Sequence, residues 1–564
     1  MTSSKNTTDY TNTQTLLETC DSAILSLEAL ENKVHHQLAL SIMDHGKVSS
    51  AKLNEKQFAA HGYAWLATYG EALRQLLVWA KTLEERGLLT DLERLILAAG
   101  FGEYLAQITG GIAMSQVEIV RLADLGIDPS NQKAFETDEV SQLIQYGTSD
   151  QIRSDMGELI SAGHFGNPGI KDSSLSMIRE QFKRFSDEQI TPSAQKWHRG
   201  DLLIPDAIIS QMAELGVFGL TIPEEWGGVQ LGKITMCMVT EELCRGYLGV
   251  GSLATRTEIA ADLILLHGTQ AQKELWLGGL ARGAILPTAL FTEPGTGSDL
   301  ASVATQARLS AGNYLITGAK TWSTHASRAD LMTMLVRTDS SKKGYEGVSL
   351  LMAPKPRGDG KNLFPAQGMS GSEIKVLGYR GMKEYEIAFS DFSVPKEYLL
   401  GGLEGQGFKQ LMGSMETARI QTAARALGVA QCALELGLNY AKDRVQFGRP
   451  IFDFPRIHRK LTSMVVEIMI ARQLTWSAAR KKDSGERCDL EAGMAKLLAS
   501  RVAWAAADNS VQVHGGNGYA EEYPISRVLV DSRILNVFEG TGEIQAQIIA
   551  RRLLEQSQFL HHRQ

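Results

Sequence analysis

Three stretches of this sequence combine residue types that can do chemistry. Near the C-terminal end, Phe538 to Gln545 reads FEGTGEIQ and sets one carboxylate, Glu539, among glycines and a threonine. Stripped of water, a carboxylate gains proton affinity and reaches a pKa of about 6 to 7, which suits it to take a proton from carbon. The same residue, taken alone, more often reads as a surface acid or a cap than as a base. Phe291 to Leu300, FTEPGTGSDL, offers backbone amides and hydroxyls with little steric obstruction, as an anionic or heteroaromatic ligand requires, or else it is a simple turn. Lys320 to Thr324, KTWST, sets an indole beside hydroxyls. Such a ring can lie on a flat cofactor, although a core tryptophan with polar neighbours is the commoner fate of a lone indole.

These segments sit in a chain of alternating character. From about Thr15 to Asp128 the pattern is helical, most clearly where Trp65, Tyr69, Ala72, Leu76, Trp79 and Leu83 recur at spacings of four and three. Gly87 ends that helix. A capping box from Thr90 to Glu93 starts the next, which stops at Gly110 and Gly111. This region shows no nucleophile and base pairing, so it reads as a packing or interface module. Periodicity lapses between about Gln145 and Ser174, where GHFGNPGIKDSS reads as a linker. Helical patterning returns from Ser176 to about Leu280, broken by IPEEWGG. Short β-rich runs (NYLITG, LMTMLVRT, VSLLMAP, EYEIAF) fill Ile285 to about Pro395, and long helices follow Gly401. The expected domains are an N-terminal helical extension (1–165), a helical domain (174–284), a β domain (285–398) and a C-terminal helical bundle (399–564).

Composition narrows the functional classes. With 564 residues, 43% hydrophobic and 21% charged, the chain is an ordinary globular protein of about three or four domains. A formal charge of -7 argues against nucleic acid as a main partner. The five cysteines are scattered, with neither disulfide nor metal-ligand spacing, and point to a reducing cytoplasm. The polar start MTSSKNTTDYTNTQ lacks a secretory core, and no run has the length of a membrane span. A protein free of membrane insertion and of metal is expected.

Taken together, FTEPGTGSDL, KTWST, RVQFGRP (Arg444 to Pro450), QVHGGNGY (Gln512 to Tyr519) and FEGTGEIQ resemble, in order, the signature blocks of the acyl-CoA dehydrogenase family over roughly Leu175 to Leu554. The resemblance implies a mainly α fold with a central, barrel-like β domain between two helical domains, plus the N-terminal extension. It implies FAD, with Phe291, Thr292, Gly297, Ser298, Trp322 and Thr324 around the ring and pyrophosphate. Arg444, Phe447, Gln512, Gly515 and Gly516 match positions that reach the flavin of a neighbouring subunit, and Thr541 and Glu543 match further contacts. At least a homodimer is implied, with an electron-transferring flavoprotein as acceptor and an acyl-CoA as substrate. Glu539 matches the family's base. The alternative base position is Ala418, which cannot take a proton, and Glu416 is better read as a cap or a contact for the CoA chain. Gly540 and Ser298 fall at positions beside the thioester. Val530, Ser323 and Phe538 depart from the usual Arg, Ile and Tyr, and each can reshape the pocket.

The N-terminal helices, with GMSGSEIKVLGYRGMKEYE and ADNSVQVHGGNGYAEEYPISR, resemble a branch acting on a methyl-branched dicarboxylic thioester. A far carboxylate in a dry pocket needs a cation. Arg256, in GSLATRTEIAA, is the leading candidate, against the alternative of a helix-surface arginine paired with Glu258. Arg419 matches a position near the thioester, and Arg425 and Arg380 are weaker candidates. The N-terminal helices are expected to cover the surface that many family members use to pair dimers, leaving a homodimer. Other readings are a glutaryl-type or short branched-chain dehydrogenase, an oxidase, or a CoA-binding scaffold without catalysis.

Overall fold

The structure, a computed structural model, describes Tyr10 and residues 12–556, so most of the polar N-terminal start lies outside it. Helices Thr13–Ile42, Gln57–Glu85 and Asp91–Gly110 build the first region. All six apolar residues of the four-three spacing from Trp65 to Leu83 are buried. Gly87 turns left-handed just past the second helix, and the capping box of Thr90 and Glu93 starts the third. The expected linker is shorter than its composition indicates. Helix Asp138–Gly147 ends just inside it, and helix Asp150–Ile160 occupies much of its first half. Ser149 caps the second by accepting from the Ile152 amide, and Ile152, Met156 and Ile160, four apart, give it one buried face.

This first region shares one hydrophobic core with the C-terminal helices. Helix Gln57–Glu85 packs on helices Pro455–Asp483 and Gly542–Gln556. The Arg501 guanidinium lies 4.8 Å from the Trp65 ring and donates to the Tyr69 hydroxyl at 2.6 Å, while the Tyr104 hydroxyl donates to Glu467 at 2.9 Å. His61 Nε2 lies 2.9 Å from Gln547 Oε1, and Arg551 donates to the Ser50 hydroxyl at 2.8 Å.

Helices Gly232–Gly246 and Leu248–His267 lead to the sheet. Arg472 on helix Pro455–Asp483 grips Glu241 on the first of these with donors at 2.8 and 3.0 Å, and Arg179 adds a second cation at 3.4 Å. Burial pushes the Glu241 carboxyl up, but Arg472 and Arg179 outweigh it and hold the group below its ordinary value.

The sheet has strands β1 (Pro287–Leu290), β2 (Gln306–Ser310), β3 (Asn313–Lys320), β4 (Leu331–Arg337), β5 (Val348–Pro354), β6 (Met369–Ile374) and β7 (Glu384–Pro395). Its path is β6-β7-β3-β2-β4-β1, and β5 pairs with β4. β4 and β5 are apolar and buried along nearly their whole length, as strands covered on both faces must be. Helices Gly407–Asp443 and Asp489–His514 then pack along each other, and no helix among the described residues is long and apolar enough to cross a membrane.

Candidate active site

Glu539 lies in the connection between helices Pro524–Ile534 and Gly542–Gln556. Its backbone is left-handed (φ 54°), and Gly540 follows at φ 87°. A non-glycine residue in that region costs about 1 kcal/mol or more, so neighbours must hold it there. Gln545 Nε2 donates to the Glu539 carbonyl at 3.1 Å, and Lys496 Nζ donates to the Gly540 carbonyl at 2.6 Å. Lys496 is fully buried, and this burial pulls its ammonium down to about 7 against the opposing pull of Glu539.

The Glu539 side chain is 11% exposed, and its Oε1 accepts from Arg256 at 3.2 Å, with Arg425 at 3.8 Å. Arg256 stands on the buried helix Leu248–His267, so it is no surface residue. Glu258 belongs to other partners, the Lys233 ammonium and the Thr221 hydroxyl. The second arm of Arg256 donates to Thr324 Oγ1 at 3.3 Å, and that hydroxyl donates to Glu384 at 2.8 Å. Burial pushes the Glu384 carboxyl up to about 7, with Thr324 and Arg256 opposing. Arg425 donates to Thr422 at 2.7 Å and stacks over the Phe538 ring at 4.6 Å. Arg256, Arg419 and Arg425 each keep a buried Nε without a hydrogen-bond partner among the described residues. Buried donors left open in this way fit a ligand that carries acceptors.

Other expected residues lie apart from this ring of contacts. Glu416 accepts from Lys482 at 2.6 Å, and Ala418 is buried. Arg380 donates to the Val376 and His198 carbonyls. Sequence reasoning passed over Glu384, Lys496 and Gln545.

The FTEPGTGSDL loop is anchored from within. Glu293 accepts from the Ala304 and Thr305 amides at 2.7 and 2.9 Å, and the buried Lys320 donates to Glu293 at 2.8 Å and to the Phe291 carbonyl at 3.2 Å. The Thr321 amide donates to the Thr292 carbonyl at 3.0 Å, which brings this loop beside KTWST. There the Trp322 indole is 54% exposed on a left-handed residue (φ 53°), and a Cβ at Gly295 or Gly297 would meet nothing within 4 Å. Ser298 is exposed in the same loop. An uncovered indole beside open glycines fits a flat ring with an anionic tail.

On another face, Arg444, Gln512, Gly515 and Gly516 are exposed, and the hairpin Val445–Gln446 to Arg449–Pro450 turns through Phe447 (φ 52°) and Gly448 (φ 81°). The Phe447 ring is 94% exposed. Thr541 accepts from the Ile544 amide, and Glu543 is exposed at the start of the last helix.

Comparison with known proteins decides the family. Residues 172–284, 288–392 and 405–554 match the N-terminal, middle and C-terminal domain models of acyl-CoA dehydrogenase. The chain belongs to the acyl-CoA dehydrogenase family. A (2S)-methylsuccinyl-CoA dehydrogenase of Cereibacter sphaeroides is 56% identical over 544 residues, 96% of this chain and 98% of that protein. Butyryl-CoA dehydrogenase from Megasphaera elsdenii superposes with a TM-score of 0.64 at 31% identity, covering 68% of this chain and 99% of that one. A glutaryl-CoA dehydrogenase from Mycobacterium smegmatis in complex with FADH2 gives 0.62 at 25% identity, with 68% and 95% covered. This acyl-CoA dehydrogenase thus carries, ahead of the three matched segments, a helical region that the Cereibacter protein shares.

Proposed function

We propose that this acyl-CoA dehydrogenase oxidises (2S)-methylsuccinyl-CoA to mesaconyl-CoA, with Glu539 as the base and FAD as the cofactor. The observation that carries the reading is the pairing of the buried Glu539 carboxylate with Arg256, in a chain similar along 96% of its length to a dehydrogenase of that substrate. Glu539 takes the proton from Cα, a hydride leaves Cβ, and the Cα=Cβ bond forms. When bound, FAD supplies the two-electron acceptor for that hydride. Thr292, Gly297, Ser298, Trp322 and Thr324 hold the ring and pyrophosphate in this reading.

In a four-carbon dicarboxylic thioester the far carboxylate is bonded directly to Cβ. A cation for it must therefore stand close to both reacting carbons. Arg256 meets this need, since one arm reaches Glu539 and the other the Thr324 hydroxyl. Leaving such an arginine unpaired costs roughly 3 to 5 kcal/mol, which discriminates against plain fatty-acyl chains. Arg419 serves the thioester end.

The same proposal has an electron-transferring flavoprotein as acceptor, a cytoplasmic homodimer whose Phe447 turn meets the neighbouring flavin, and a place in the ethylmalonyl-CoA route. Anaerobic titration with methylsuccinyl-, succinyl- and butyryl-CoA tests the core of it. The flavin should bleach fastest with the first. A colourless protein, or equal bleaching by butyryl-CoA, overturns the reading.

A further inference from the structure

Arg256 and Glu539 make an ion pair shielded from solvent, and that pair has a consequence for turnover. As Glu539 takes a proton it loses its charge, and the guanidinium loses its anion. Arg256 cannot follow a departing partner into water, because its helix is buried along nearly its whole length. Nor can the neighbourhood replace the anion. Arg425 is a second cation, Lys496 faces the Gly540 carbonyl, and Glu384 meets Arg256 through the Thr324 hydroxyl that bonds both, a pull already in place before the proton moves. An interaction present in the ground state and lost in the transition state slows the chemical step.

We infer that Arg256 is a latch on the catalytic base, opened by exchange of one carboxylate for another: the far carboxylate of the substrate takes the guanidinium as Glu539 lets it go. This deepens the proposed function and rests on it. The open Nε of Arg256 gives the incoming carboxylate a donor that Glu539 leaves unused. Movement falls to Glu539, which sits on a left-handed turn in a connection between helices. An uncharged acyl chain enters the same cleft but offers nothing in exchange. Its proton transfer then carries the full cost of a broken buried pair, a factor on the order of 10²- to 10³-fold in rate. Selectivity for a dicarboxylic thioester is in this way built into the acid-base step as well as into binding.

The latch differs from a simple anchor in its effect on uncharged substrates. Anaerobic stopped-flow flavin reduction of the holoenzyme and of Arg256→Gln, with methylsuccinyl-CoA and with butyryl-CoA, separates the two. In the variant, methylsuccinyl-CoA should slow by about 10²-fold or more while butyryl-CoA speeds up by about tenfold or more. A butyryl-CoA rate that is unchanged or lower, with the flavin spectrum intact, overturns the latch and leaves the proposed function standing. If the unsubstituted enzyme is not reduced by methylsuccinyl-CoA at all, the functional reading fails and the latch with it. Should Arg256→Gln lose its flavin, the unsubstituted enzyme decides alone. Propionyl-CoA with sodium formate presents succinyl-CoA in two pieces, and formate should accelerate flavin reduction by about tenfold over sodium chloride at equal ionic strength. No acceleration overturns the latch.

Discussion

Two buried arginine and glutamate pairs in this molecule are built on opposite plans. Arg472 meets Glu241 through several donors, and Arg179 and Gln431 fill what remains around them. Arg256 meets Glu539 through one arm at 3.2 Å and keeps an open Nε. A fully satisfied pair is a fastener, because breaking it strands a charge and nothing is gained by rearrangement. A half-satisfied pair is available to a third group. The difference separates a pair that joins helices from one that can take part in a reaction, although the residue types are the same and only the second carboxylate keeps some exposure.

That contrast can be broken most sharply at Glu539. Glu539→Gln should slow flavin reduction by methylsuccinyl-CoA about 10²- to 10⁴-fold in protein that still folds and holds its flavin, and a variant near the original stopped-flow rate would move the base elsewhere. At the fastener the pattern should invert. Arg472→Met is expected to cost about 3 to 5 kcal/mol in denaturant unfolding while turnover per folded molecule changes little, and an equally stable variant would remove the distinction.

Glu384 sharpens the comparison through pH. Its folded value of about 7 lies above the ordinary 4.5, so the folded protein binds more protons between these values and stability falls as pH rises through that window. The fall is at most roughly 3 kcal/mol, and Glu384→Gln should abolish it in unfolding curves recorded across the same range. Lys496 works in the opposite sense. Its value is lowered to about 7, so stability rises as pH climbs from there toward 10.5, and Lys496→Met should flatten that limb. The smallest effect belongs to the N-terminal region, where Thr90→Ala removes one side of a capping box and should cost about 1 kcal/mol in thermal unfolding, with activity unchanged.

The order of helices and strands was legible because periodicity reports burial, as the Trp65 to Leu83 series shows. Helix Asp150–Ile160 escaped because three apolar residues beside a Gly- and Pro-rich stretch make a weak pattern. Glu539 stood out only through its company of motifs. Glu384 gave no sign, since alternation along β7 points Tyr385, Ile387 and Phe389 into the sheet's core, while Glu384 is covered by a helix more than a hundred residues earlier in sequence. Lys496 did leave a trace, one of two charges with Arg501 in the apolar run from Ala492 to Ala507, but its partner is a backbone carbonyl that no side-chain pattern records.

His61 and Ser50 reach across to Gln547 and Arg551, on the helix that begins just after Glu539. The first region is therefore a buttress for the helix that follows Glu539, the proposed proton acceptor, rather than a detachable appendage. Cutting the chain back to the length of its shorter cousins would bare one flank of that terminal helix, and a trimmed enzyme would need new surface residues there before it could hold its carboxylate still.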